Sequence, residues 1–289
     1  MSDRLPILNA MTVDVEDYFQ VSAFDPYVCK STWQERPGRV EANMDRILEM
    51  FNNFEIKCTF FTLGWIAMQY PSLVKRIVAE GHDLASHGWD HTMVTKLRRA
   101  EFEQDVSKSK EVLEQVSGTR VTGYRAPSYS FTKANDWAHA VLAEQGYLYS
   151  SSVAPIKHAF YGIPDAPRFS HKREDGAILE IPITTTRLLG RNIPCGGGGW
   201  FRLYPYFISK WAIDRVTRSE GKSAIFYFHP WEIDPDQPRI DGIGSVARFR
   251  HFQNMKHMEP RLLKLFGQYR WGTIPDVFGQ ELGNSQISE

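Results

Sequence analysis

Two histidines stand four residues apart in the run Ser86-His87-Gly88-Trp89-Asp90-His91, just after a short apolar stretch. If Gly88 to His91 wind into a first helical turn, the i and i+4 rings share one face, ~5–6 Å apart at Cβ. Two imidazoles at that spacing can hold one metal ion. Histidine also caps helices and fills cores, so the pair alone is ambiguous. Other polar groups stand at the ends of strand-like runs: the acidic cluster Asp14-Val15-Glu16-Asp17, the stretch Arg125-Ala126-Pro127-Ser128-Tyr129, and a third histidine, His229. Polar groups at the ends of successive buried strands are how a barrel-type active site is assembled.

Two neutral imidazoles and one carboxylate leave coordination positions open for water and substrate, the composition of a hydrolytic zinc site. On an extended strand Asp14 and Glu16 point to one side and Asp17 to the other, unless the chain bends. One carboxylate then ligates metal while another is free as general base. The plain alternative is a solvated acidic turn. Arg125 is placed to pair with the base and orient it, or is a surface arginine. Pro127 biases Ala126 toward an extended shape, and such a turn can aim backbone N–H groups into a cavity. His229 follows five apolar residues, Ala224 to Phe228. It is either a structural strand-end histidine or, with a metal across the cavity, the proton donor to a leaving amine.

These residues need a scaffold, and the pattern supplies one. Strands are expected over Leu5–Val15, Cys58–Leu63, His82–Ser86, Val121–Tyr124, Tyr147–Val153, Ile178–Ile183 and Ala224–His229, with Trp271–Ile274 as a closing strand. Between them, apolar residues at helical spacing mark Val40–Phe54, the segment after Pro71, Arg99–Ser117, Thr132–Gln145, Tyr204–Ser219 and a helix centred on Met255–Phe266. Alternating strands and helices imply parallel strands with crossover helices. The fold class is α/β: a distorted (β/α) barrel of about seven strands, with an open doubly wound sheet as the alternative. The four glycines Gly196 to Gly199 lack the Lys-Ser/Thr of a phosphate loop. They make either a flexible loop or a backbone that must approach something closely.

A chain of 289 residues with 42% hydrophobic content can bury one large core. Formal charge is zero, which asks for neither nucleic acid nor an anionic membrane as partner. Three cysteines, Cys29, Cys58 and Cys195, are odd in number and widely spaced, which excludes a Cys-x-x-Cys zinc ribbon and leaves free thiols as the default. No run approaches ~20 apolar residues, so no membrane span is expected, and the N-terminus lacks a signal peptide's apolar stretch. The cytoplasm is the expected compartment.

With its motifs in this order, the chain resembles the NodB-homology polysaccharide deacetylases, carbohydrate esterase family 4. The resemblance spans Val13 to His229. It is closer still to the exosortase-associated branch of bacterial exopolysaccharide synthesis, through Thr12 to Gln20, Tyr161 to Arg168, Gly196 to Arg202, Phe228 to Glu232 and Arg248 to Phe252. It implies one NodB-type domain over 1–283, a branch-specific C-terminal extension at about 235–283 and a disordered tail at 284–289. It implies an enzyme that removes acetyl groups from a sugar or glycan, here an exopolysaccharide precursor, with a divalent metal: zinc first, nickel or cobalt as alternatives. Asp14 would be the base, His87 and His91 the metal ligands, Arg125 the orienting arginine and His229 the acid. Tyr129 falls where the family supplies a backbone N–H to the oxyanion. Valine follows Asp14 where the family usually has a second aspartate, so Glu16, or failing that Asp17, must be the metal carboxylate. The family's Asp-Trp motif that tunes the acid is not recognisable; Asp214 and Glu232 are the residues at hand. Tyr18, Pro127, Trp200, Phe201 and Trp231 are expected to line the sugar site. The rival readings are a metal-independent cyclic amide hydrolase on the same fold and a catalytically silent glycan-binding protein.

Overall fold

The computed structural model describes residues 6–158, 161–173 and 176–283; the tail expected at 284–289 lies outside them. Among the described residues nine strands form one sheet, in the order β10-β1-β2-β3-β4-β5-β7-β6, with β11 pairing β1 off that path. They are β1 (Leu8–Val15), β2 (Thr59–Thr62), β3 (Asp83–Ser86), β4 (Gly123–Tyr124), β5 (Tyr149–Ser150), β6 (His171–Lys172), β7 (Leu179–Glu180), β10 (Ile225–Phe228) and β11 (Arg270–Gly272). A separate hairpin is made by β8 (Thr185–Leu188) and β9 (Arg191–Pro194). All pairings in the large sheet are parallel except β6 with β7.

Seven of the eight parallel strands, β1 to β5, then β7 and β10, are the staves, and the short β11 adds an eighth beside β1. They curl into a distorted, incompletely laddered barrel, as the alternation of strands and helices predicts. Between β7 and β10 the wall is made by irregular chain. Thr184 accepts from the Cys195 N–H at 3.2 Å, its Oγ1 accepts from the Ile225 N–H at 2.6 Å, and the Gly196 carbonyl accepts from the Tyr227 N–H at 2.7 Å.

The glycine run makes this seam possible. A Cβ on Gly196 would lie 2.2 Å from the Ile225 carbonyl, one on Gly197 2.6 Å from the Tyr227 ring, and one on Gly198 2.0 Å from Glu232 Oε2. The close approach is therefore to the protein itself. These glycines are neither a flexible loop nor a ligand cradle.

Strand alternation sorts side chains into two environments. Met11, Val13 and Val15 of β1 join the core between sheet and helices, with Ile47, Leu48, Phe51, Phe226 and Phe228. Ala10 faces the other way and packs with Phe61, Ala85, Tyr149, Ile181 and Ile225, closed off by Ile274 and Phe278 of the helix Ile274–Leu282. Thr12 and Asp14 continue that inner row toward the strand's carboxyl end. Helices Val40–Asn53, Pro71–Ala79, Arg99–Ser117 and Met258–Phe266 lie where apolar spacing predicts them. Two expected helices are broken: 132–145 into a 3-10 turn and Ala138–Glu144, and 204–219 into Tyr206–Asp214 followed by a π turn.

His82 shows how this core constrains titration. Its ring is buried edge-on against Phe60, and Nδ1 accepts the Cys58 N–H at 3.2 Å, so it must stay neutral. Burial first, and Lys57 second, push its pKa down from 6.5 to about 4. The unfolded chain takes the proton first, so this stability is full above pH 6.5 and lost as pH falls toward 4. The loss amounts to roughly 3 kcal/mol at most. His82→Gln, which keeps an acceptor, should lose less stability than wild type between neutral pH and the lower limit of that window in urea titrations. Equal losses would mean His82 has no share in acid unfolding.

Candidate active site

Each candidate side chain leaves the carboxyl end of a stave or the turn after it: Asp14 and Glu16 from β1, His87 from β3, Arg125 from β4, Ser151 and Ser152 from β5, His229 from β10. The barrel topology thus gathers residues that are up to 215 positions apart, as in the Trp231–Glu16 hydrogen bond.

Glu16, His87 and His91 converge, with one potential ligand atom from each within 4.8 Å of the others. The geometry differs from the expected helical turn. Residues after β3 form a loop in which Gly88 has φ 78° and His91 φ 59°, yet the two rings come within 5.1 Å. Gly88 tolerates that φ without penalty, whereas a histidine there is uncommon, and such strain gathers at functional sites.

The outer nitrogens are held. His87 Nδ1 sits 2.9 Å from the Arg125 carbonyl, and His91 Nδ1 3.2 Å from Ser22 Oγ. An imidazole whose Nδ1–H is tied to a carbonyl presents the Nε2 lone pair. His87 Nε2 is buried without a hydrogen-bond partner among the described residues, and His91 Nε2 lies 2.8 Å from Glu16 Oε2. Burial holds the His87 pKa down at about 4, so the ring is neutral. The Glu16 carboxyl is held well below its ordinary range: burial opposes this, but His91, His229 and His87 outweigh it. Two imidazoles and one carboxylate, with a buried orphan nitrogen aimed between them, fit a divalent cation.

Asp17 does not join them. The chain bends after Glu16, and Asp17 accepts from the N–H groups of Tyr18, Arg39 and Val40 at 2.8, 2.7 and 3.1 Å. It ties the first turn to the start of helix Val40–Asn53, so the expectation of Asp17 as an alternative ligand is corrected.

Asp14 and Arg125 form a buried pair, Nη1 to Oδ1 2.6 Å. Arg125 Nη1 also donates to Thr12 Oγ1 at 2.8 Å, and its other nitrogens donate to the Ser151 carbonyl and Oγ. Its guanidinium lies 3.9 Å over the Phe61 ring. The serine run after β5 therefore holds the arginine that holds Asp14.

His229 stands across from both acids, Nε2 3.9 Å from Asp14 Oδ2 and 3.7 Å from Glu16 Oε1. Its Nδ1 meets Glu232 Oε2 at 3.0 Å, and the His229 N–H donates to the same oxygen. Arg202 Nε donates to the other Glu232 oxygen at 2.8 Å. Glu232, not Asp214, is thus the partner of His229; Asp214 pairs with Lys210 and Arg218. Burial alone would lower the His229 pKa, but Glu16, Glu232 and Asp14 raise it to about 9. Arg202 and His229 hold Glu232 down at about 2 against the effect of burial.

The aromatic expectations separate. Trp231 belongs to the site: its Nε1 donates to Glu16 Oε1 at 2.9 Å, and its ring is stacked between His229 at 4.9 Å and His251 at 4.2 Å. It is 6% exposed, so it positions site residues and offers no sugar platform. Tyr18 and Phe201 are core residues, Tyr18 edge-on to Phe19 and Phe201 packed on Tyr206 and Phe226; both sugar-site expectations are corrected. Trp200 stacks on Tyr204. Pro127 is buried and opens the 3-10 turn Pro127–Tyr129. In that turn the Tyr129 N–H donates to the Ala126 carbonyl at 2.9 Å, so the expected oxyanion donor is committed within the turn.

Ser22, Arg202 and His251 were missed by residue reasoning. Nothing local marks Ser22. Arg202 and His251 lie in two of the stretches that carry the family resemblance, but their contacts are long-range.

Residues 25–149 match the family described as polysaccharide deacetylase, and residues 151–279 match a domain of unknown function, DUF3473. The polysaccharide deacetylase match thus covers less than half of the chain and holds His87, His91 and Arg125, while the second matched stretch holds β7, β10 and His229. It is 33% identical over 82 residues to a peptidoglycan-N-acetylglucosamine deacetylase of Bacillus cereus, covering 28% of this chain and 30% of that protein. It is 36% identical over 81 residues to the peptidoglycan-N-acetylglucosamine deacetylase PgdA of Listeria monocytogenes, covering 28% and 17%. The matched stretch thus spans less than a third of these relatives. The fold is shared with a putative polysaccharide deacetylase from Mycobacterium smegmatis, at TM-score 0.60 and 17% identity over 99% of this chain and 96% of that one.

Proposed function

We propose that this protein hydrolyses N-acetyl groups on a sugar or glycan, with a divalent cation, most simply zinc, held by Glu16, His87 and His91. An exopolysaccharide precursor is the substrate we favour. The observation that carries the reading is the buried, unpartnered His87 Nε2 facing Glu16 and His91, beside the Asp14–Arg125 pair and opposite His229. A bound cation would supply Lewis acidity toward water and the acetamide carbonyl.

The chain's own groups do the proton work. Asp14, its Oδ1 fixed by Arg125, takes a proton from the attacking water. As the C–N bond breaks, His229 gives its Nε2 proton to the departing amine, leaving acetate and a free amino sugar. Glu232 fixes the ring by accepting at Nδ1, so Nε2 is the nitrogen that faces the acids. Trp231 holds Glu16 in place and stacks on His229.

Acetate release from N-acetylated oligosaccharides by the purified, metal-loaded chain tests this reading, with Asp14→Asn as control. Turnover that survives Asp14→Asn, or none on any acetylated glycan, would overturn it. Glu232→Gln keeps the shape but weakens the hold on Nδ1. It should lower kcat by roughly 10-fold to 100-fold with KM little changed, as expected when a group acts only in the transition state. A KM effect alone would remove Glu232 from this role.

A further inference from the structure

No helix among the described residues is long and apolar enough to cross a membrane. One surface nonetheless carries apolar side chains where the sequence gains nothing by placing them. The hairpin β8–β9 has the register Leu188↔Arg191, which leaves a two-residue loop of Leu189 and Gly190. Both have positive φ, 49° and 76°. That turn strongly prefers Asn-Gly or Gly-Gly, because the left-handed region is costly for a branched aliphatic residue. Here leucine occupies it and is 94% exposed, beside Leu188 at 45%.

Strand β8 packs against the helix Tyr206–Asp214 and the π turn after it. That helix shows a second exposed row at helical spacing: Phe207, 70% exposed, then Trp211, then Arg215 and Arg218. Between residues 185 and 219 the sole acid is Asp214, against exposed Arg187, Arg191, Arg215 and Arg218 and half-buried Lys210. Asp214 is engaged by Lys210 and Arg218, while among the described residues no ion pair involves Arg187, Arg191 or Arg215.

We infer that the β8–β9 hairpin tip and the outer face of the helix Tyr206–Asp214 dock the protein on an anionic lipid bilayer. Leu188, Leu189, Phe207 and Trp211 enter the interface, and the arginines meet acidic headgroups. Aromatic and leucine side chains interspersed with arginines, on a helix face too short to span, are the composition of an interfacial contact. Arginines near the surface add attraction to anionic lipid that salt screens. Formal charge over the whole chain is zero, so this attraction is local to the patch and invisible in the composition. The inference is independent of the proposed hydrolysis.

The test is co-sedimentation of the whole chain with vesicles of phosphatidylcholine alone and of phosphatidylcholine with phosphatidylglycerol, at low and high salt. Wild type should partition onto the anionic vesicles only, and salt should release it. Leu189→Asn suits the left-handed turn, so it should melt no lower than wild type while its partitioning falls roughly tenfold. Arg187→Glu with Arg191→Glu should lose the preference for anionic lipid. Three results would overturn the inference: no binding to anionic vesicles, equal binding by Leu189→Asn, or a concentration-dependent dimer of the free chain that Leu189→Asn abolishes. The last would assign the patch to a second copy of the chain.

Discussion

Purified wild-type protein should contain about one equivalent of divalent metal, and His87→Ala, His91→Ala and Glu16→Gln should each lose most of it, with deacetylation lost in parallel. Three protein ligands are the minimum of an open hydrolytic site, so removing one leaves too few to hold the ion against solvent. The site is prepared for it at some cost. A buried nitrogen without a partner, as at His87 Nε2, costs on the order of 1–3 kcal/mol, which a bound cation relieves. His87→Ala removes that penalty but also takes the Nδ1 partner from the Arg125 carbonyl, so the metal-free variant should be less stable than metal-free wild type by the cavity and that lost hydrogen bond, set against the penalty relieved. Ser22→Ala, which releases His91 Nδ1, should weaken metal affinity by ~10-fold to 100-fold without abolishing it. Metal analysis by mass spectrometry and a zinc titration read all of these. A wild type that binds none even after zinc is supplied would sink the mechanism and favour a metal-independent amide hydrolase.

Asp14→Asn should keep the metal and lose about 10²-fold to 10⁴-fold in kcat, the range for removing a positioned general base. The amide cannot take a proton from water, but it can still accept from Arg125 Nη1 through its carbonyl oxygen. That matters because Arg125 is wholly buried, with Asp14 as its one carboxylate partner among the described residues. Replacing the carboxylate leaves the guanidinium charge uncompensated, so a fall in stability should accompany the fall in rate. Separating the two needs both a melting curve and the metal content of the same sample. Full metal occupancy with abolished turnover assigns Asp14 to chemistry. Loss of metal as well would mean that Asp14 mainly shapes the site. Retained turnover would exclude it as the base.

Much of the site is legible because its residue types are rare together and stand at strand ends. His87, His91, Glu16, Asp14, Arg125 and His229 are all found by reading where apolar runs stop, and the structure brings all six together. Their local geometry is not legible. The spacing of His87 and His91 suits a helical turn, yet the chain takes a loop through Gly88 and a left-handed His91. Ring separation alone cannot distinguish the two paths. Among the acids, period-two alternation separates Glu16 from Asp17, but only the bend that gives Asp17 three backbone N–H groups removes it from the site. Tyr18 and Phe201 read as sugar platforms because aromatic side chains serve cores and glycans equally; burial decides, and burial is a property of the packed chain.

The α/β alternation, the seven staves and the types of group that gather at their carboxyl ends are legible in the sequence alone. Each follows from periodicity and residue chemistry within a short window. What those groups touch comes only with tertiary packing: Glu232 on His229 and Arg202, Trp231 between two imidazoles, Ser22 behind His91, and Gly196, Gly197 and Gly198 closing the barrel wall. Most of these contacts join elements far apart in the chain, and even the short-range Glu232–His229 pair depends on Arg202, 30 residues upstream, to fix the carboxylate. No local pattern carries that information, because it arises only when the packed elements fix one another's rotamers.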